Sequence, residues 1–109
     1  MADSFNDRRK GFEEKFRMDQ DLQFKVTSRR NKLLGQWLGE RFGLNGQALA
    51  DYATTVVIAD LDKPGDEDVI GKVMADIKEH GISISEHDVR AKLADLGGVA
   101  QTQIMDEQK

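Results

Sequence analysis

Val26-Thr27-Ser28-Arg29-Arg30-Asn31-Lys32-Leu33-Leu34-Gly35-Gln36-Trp37-Leu38-Gly39-Glu40-Arg41-Phe42-Gly43 decides the fold of this chain. Val26, Leu33, Leu34, Trp37 and Leu38 share one side of a helix, within an arc of roughly 140°, wide enough to face a core. Trp37 is expected in that core, among Leu33, Leu34 and Leu38. Gly43 ends the helix, as glycine does at a C-terminal cap. Gly35, Gly39 and Gly43 recur every four residues, the small-residue spacing that lets helices approach closely. Charge flanks these glycines, so packing within a soluble protein explains them better than a membrane dimer.

Toward the C-terminus the helical period continues. Asn45 is a candidate N-cap for a second helix from about Gly46 to Leu61. Leu49, Tyr52, Ala53, Val56, Val57 and Ala59 supply its buried side. Asp62-Lys63-Pro64-Gly65 breaks the pattern, because proline cannot continue a helix. A third helix is predicted from Asp66 to His80, with Val69, Ile70, Val73, Met74 and Ile77 inward. Gly81 stops it. Ser85 and Asp88 form an acidic variant of a capping box and open a fourth helix. Val89, Leu93 and Leu96 form its inner side. Gly97-Gly98 is expected to end or loosen it, at ~1 kcal/mol per glycine. A turn or two, Val99 to Met105, then follows. The Ile82-Ser83-Ile84-Ser85 alternation is too short for a sheet. The expected fold is all-α: a four-helix bundle with a long first helix.

Toward the N-terminus the first helical segment reaches back to Ser4, but its character changes. Phe5, Phe12 and Phe16 lie within roughly 40° of one another on a helix. Around them sit Asp7, Arg8, Arg9, Lys10, Glu13, Glu14, Lys15 and Arg17. Such a narrow aromatic stripe on a charged rod is marginal as an isolated helix. It has two readings. The stripe packs on the protein's own later helices, or it lies in a groove on a partner.

The composition narrows the function classes. One proline and no cysteine occur in 109 residues, so disulfides and thiolate metal sites are excluded. The net charge of −4 argues against a nucleic-acid partner. Residues 1–42 carry ten Lys or Arg against seven Asp or Glu, and residues 43–109 six against thirteen. No signal peptide or membrane-spanning stretch is apparent, so the expected location is cytoplasmic, without direct membrane insertion.

No constellation of catalytic residues is found, nor a glycine-rich phosphate loop. No enzyme activity, cofactor or metal is expected. A calcium loop beginning at Asp60 fails, with Pro64 at its fifth position and Gly71 at its twelfth. Asp66, Glu67 and Asp68 are read as first-turn carboxylates facing a helix N-terminus. His87 between Glu86 and Asp88 is weak as a metal site. Arg29-Arg30-Asn31-Lys32 is read as a solvated basic face paired with acids elsewhere.

Several stretches, in order and spacing from about residue 4 to 106, are similar to one family. They are Phe5 through Phe16, Phe24-Lys25, Arg29-Arg30-Asn31-Lys32-Leu33-Leu34-Gly35 with Trp37, and Ala59-Asp60. Pro64-Gly65-Asp66-Glu67-Asp68-Val69 with Lys72-Val73 follows, then Ser85-Glu86-His87-Asp88 with Arg90. The chain resembles the zeta-type inhibitor subunit of alphaproteobacterial F-type ATP synthase. The resemblance implies a mobile inhibitory arm at residues 1–19 and a four-helix domain at 20–109. It implies partners, the alpha, beta and gamma subunits of the catalytic head, at the cytoplasmic face of the inner membrane. The arm would insert at an alpha/beta interface and block rotation, with Phe5, Asp7, Arg8, Arg9, Lys10, Phe12, Glu13, Lys15 and Phe16 at the contact. The free protein would be a monomer. The chain departs from the family at Arg9, where an acid is expected, at Gly11, where alanine is expected, and at Gly97-Gly98. The alternative is a helical adaptor or small-ligand-binding module without an inhibitory arm.

Overall fold

The computed structural model describes residues 20–60 and 65–108. The aromatic arm and the Asp62-Lys63-Pro64 break lie outside these residues. Four helices follow in order: α1 (Gln20–Arg41), α2 (Gly46–Ala59), α3 (Glu67–Glu79) and α4 (Glu86–Glu107). Among the described residues there is no strand.

Gly43, Gly81 and the Ser85–Asp88 pair act as the sequence predicts. Gly43 takes φ 85°. Leu44 N–H donates to the Gly39 carbonyl at 2.9 Å and Gly43 N–H to the Glu40 carbonyl at 3.0 Å. This pair of hydrogen bonds is the Schellman closure, which satisfies carbonyls left over at a helix end. Gly81, at φ 68°, closes α3 in the same way, with Ile82 N–H on Ile77 and Gly81 N–H on Lys78, both 3.1 Å. Ser85 Oγ accepts from Asp88 N–H at 3.0 Å, and Asp88 Oδ2 from Ser85 N–H at 3.3 Å, so the capping box is complete. Asn45 holds the extended N-cap position of α2, but its side chain makes no capping bond.

Leu34 and Leu38 of α1 pack with Val56 of α2, with Val69, Ile70, Val73 and Ile77 of α3, and with Val89, Leu93 and Leu96 of α4. The α1–α2 seam is very close. A Cβ on Gly35 would lie 2.6 Å from the Cα of Ala53, and one on Gly39 would lie 2.5 Å from Leu49 Cδ1. Gly35 and Gly39 therefore set the approach of these two helices, whereas Gly43, with open space around it, serves only as the cap.

Two expectations need correction. Gly97-Gly98 does not end the last helix, because α4 runs unbroken to Glu107. Ala100 and Ile104, beyond the glycines, are buried. Burying them in helical register outweighs the ~1 kcal/mol each glycine costs the helix. Trp37 packs against the core but is only half-buried. Arg41 Cζ lies 4.8 Å and Lys92 Nζ 5.3 Å from its ring centroid. The indole thus forms the edge of the core and carries cations on its ring.

Candidate partner-binding surface

The nine residues expected to bind a partner, Phe5 through Phe16, are outside the described residues. The structure instead defines the end of the bundle to which that segment is joined. Across the first three turns of α1, from Gln20 to Arg30, no residue is buried; the first buried residue of the helix is Asn31. Phe24, in the second turn, is 57% exposed.

Beside it, a groove of about 420 Å³ opens between α1 and the end of α4. Phe24, Val57 and Ile104 give it apolar walls, Lys25, Arg29 and Lys32 stand on its rim, and Glu107, paired with Arg29, lines it as well, so Lys25 and Lys32 carry the unpaired positive charge. Arg29 is tied across the helices. Its Nη1 donates to Gln103 Oε1 at 2.9 Å and to Glu107 Oε2 at 2.7 Å, and its Nη2 to Glu107 Oε1 at 3.0 Å. The fork holds the Glu107 carboxyl below the usual carboxylate range. Lys25 and Lys32 are exposed, and no carboxylate of the described residues lies within ion-pair distance of either.

The basic cluster thus divides by position. Arg30 Nη2 reaches Asp66 Oδ1 at 2.9 Å, and its Nε donates to Asn31 Oδ1 at 3.1 Å. Asn31 is buried, at 1% exposure. Among the described residues, no partner lies within hydrogen-bonding geometry of Asn31 Nδ2 or Asp60 Oδ1. Burial pushes the Asp60 carboxyl up, and Asp66 and Asp68 push the same way; the Asn31 side chain and the Arg30 charge oppose them. No spacing rule in the sequence marks Asn31 as the buried polar member of that cluster.

Other groups are occupied by structural tasks. Arg90 spans Glu67 and Glu86, and Glu67 and Asp66 both face arginines of other helices, not only their own helix end. Tyr52 Oη donates to Asp76 Oδ2 at 2.8 Å, and Lys72 Nζ donates to the same atom at 2.9 Å. Burial first, and then Asp76, push the Tyr52 phenol well up. Phe42 stacks on His80 at 4.1 Å and meets Tyr52 edge-on at 5.4 Å. Beside His87, Glu86 pairs with Arg90 and Asp88 caps α4. No group of three or more His, Asp or Glu side chains converges as metal ligands would among the described residues. No helix among them is long and apolar enough to cross a membrane.

What this arrangement defines is an all-helical protein: a four-helix core with an exposed aromatic and basic end. The family profile described as ATPase inhibitor subunit zeta matches residues 1–103, and the chain belongs to that family. Its role is therefore regulatory, as an inhibitor subunit acting on ATP synthase. A solution NMR structure of a protein 44% identical to this chain covers 79% of it and 98% of that protein, with a TM-score of 0.70. No curated protein gives a match.

Proposed function

We propose that residues 1–19 are an inhibitory arm and residues 20–109 the domain that carries it. The arm inserts at an alpha/beta interface of the catalytic head, beside the gamma subunit, and blocks rotation in the hydrolysis direction. Phe5, Phe12 and Phe16 are the anchors. Asp7, Arg8, Arg9, Lys10, Glu13 and Lys15 set encounter rate and register. The free protein is a monomer, and the complex sits at the cytoplasmic face of the inner membrane.

One observation carries this reading. Among the described residues, the buried side chains run from Asn31 to Ile104, so the bundle assembles its core without the first turns of α1. A rod joined to that end with only a narrow aromatic stripe has too little apolar surface to order alone. Ordering it on a partner buries the stripe at the moment of binding.

The test is ATP hydrolysis by the cognate synthase with the full chain and with residues 1–19 removed. The full chain should inhibit. The truncated chain should not, while keeping its helical circular dichroism and melting temperature. Phe12→Ala and Phe16→Ala should each weaken inhibition by about thirtyfold or more. A large fall in melting on truncation would instead make the stripe part of the protein's own core.

A further inference from the structure

The groove at the start of α1 has no part in the proposed insertion of the arm. Phe24 is the only exposed Phe, Tyr or Trp among the described residues, and it stands beside exposed lysines. Exposed apolar surface framed by charge is what distinguishes an interaction site from scattered surface hydrophobics. The charge is the more telling feature. The chain has an excess of acid, with thirteen Asp or Glu against six Lys or Arg in residues 43–109. Those acids neutralise Arg29, Arg30 and Arg90 through ion pairs. Among the described residues they leave Lys25 and Lys32, two turns apart on one face of α1 beside the groove, without an ion pair.

We propose that this groove docks an acidic segment of the ATP synthase head, with an apolar side chain seated against Phe24 and Ile104 and carboxylates facing Lys25 and Lys32. The proposal rests on the arm binding the same head. Once the arm is seated, the bundle is held beside the enzyme's outer surface. A second contact then forms at high effective concentration and needs little affinity of its own.

Other occupants fit less well. Residues 1–19 hold five Asp or Glu and five Lys or Arg, so they bring no net charge to a basic rim. A stable dimer buries about 800 Å² on each partner, far more than one short groove offers.

Inhibition of ATP hydrolysis by full-length variants, each matched to the parent in melting temperature, tests this. Phe24→Ser and the pair Lys25→Glu with Lys32→Glu should each raise the half-inhibiting concentration about fivefold or more. The lysine pair should also flatten its salt dependence. Carbodiimide treatment of the parent complex should join Lys25 or Lys32 to a carboxylate of a head subunit.

Parent-like inhibition by both variants, alongside a clear loss in Phe12→Ala, overturns the groove and leaves the arm standing. Absence of inhibition by the parent overturns both. Changed NMR signals of Phe24 and Ile104 on removing residues 1–19 from the free protein would show that the arm is the occupant. A dimer dissociated by Phe24→Ser would show a second copy there. Either result overturns the proposal.

Discussion

From Asn31 to Gly39, α1 is a seam: Leu34 and Leu38 are fully enclosed, and Gly35 and Gly39 bring the backbone against α2. From Gln20 to Arg30 the same helix is a surface, with no residue buried and Phe24 turned to solvent. One continuous secondary structure thus holds two energetic regimes. Local helix propensity cannot tell them apart, because packing and not propensity decides what a helical residue contributes.

Truncating one apolar side chain in each half of α1 separates the two regimes most clearly. Leu38→Ala should cost about 2–5 kcal/mol, the range for a large side chain deleted from a closed core. Phe24→Ala should stay within about 0.5 kcal/mol, as an exposed change does. Thermal melting of the two variants checks this. Equal losses would mean that the two halves of α1 are one core. Trp37→Ala should fall between them, below the ~3–5 kcal/mol of a fully buried aromatic, since the ring is only half enclosed.

Glycines give a smaller test whose sign differs between sites. Gly35→Ala places a methyl against the backbone of Ala53, which cannot move as a side chain tip could. Overpacking there should cost about 1–3 kcal/mol. Gly98 sits in α4 with open space around it, so Gly98→Ala should stabilise the fold by about 0.5–1 kcal/mol. Chemical denaturation of both variants reads the two signs directly.

The smallest effect concerns the polar joint below the seam. The Asp60 carboxyl is raised, so the fold disfavours its ionised form. That penalty is absent well below the ordinary carboxylate range and complete once pH exceeds the raised value. Asp60→Asn should therefore melt higher than the parent at neutral pH. The gap should close on acidification below the usual aspartate pKa. A gap that widens in acid would show that Asp60 is held as a favourable carboxylate.

The four helices and their stops were legible because their signals are local. Gly43, Gly81 and Ser85 with Asp88 act within one turn of their own positions. The continuity of α4 through Gly97-Gly98 was not legible. It depends on Ala100 and Ile104 finding burial against other helices, a contact that no window of sequence contains. The same holds for Arg30 with Asp66 and Arg29 with Glu107, which join residues far apart in the chain. The aromatic stripe of the arm was visible as a pattern. The exposed groove at Phe24 was not, since Phe24 falls off that stripe and its neighbours come from three helices.

The continuity of α1 has a mechanical consequence. Gln20 and Asn31 belong to one hydrogen-bonded rod, and at ~1.5 Å per residue they stand about 16 Å apart. Whatever is joined at Gln20 is connected to the bundle by a stiff lever and not by a slack tether. A pull or twist applied at that end is delivered to the Gly35–Ala53 contact, where backbone lies against backbone. The small residues that let two helices touch are thus also the bearing on which such a load would rest.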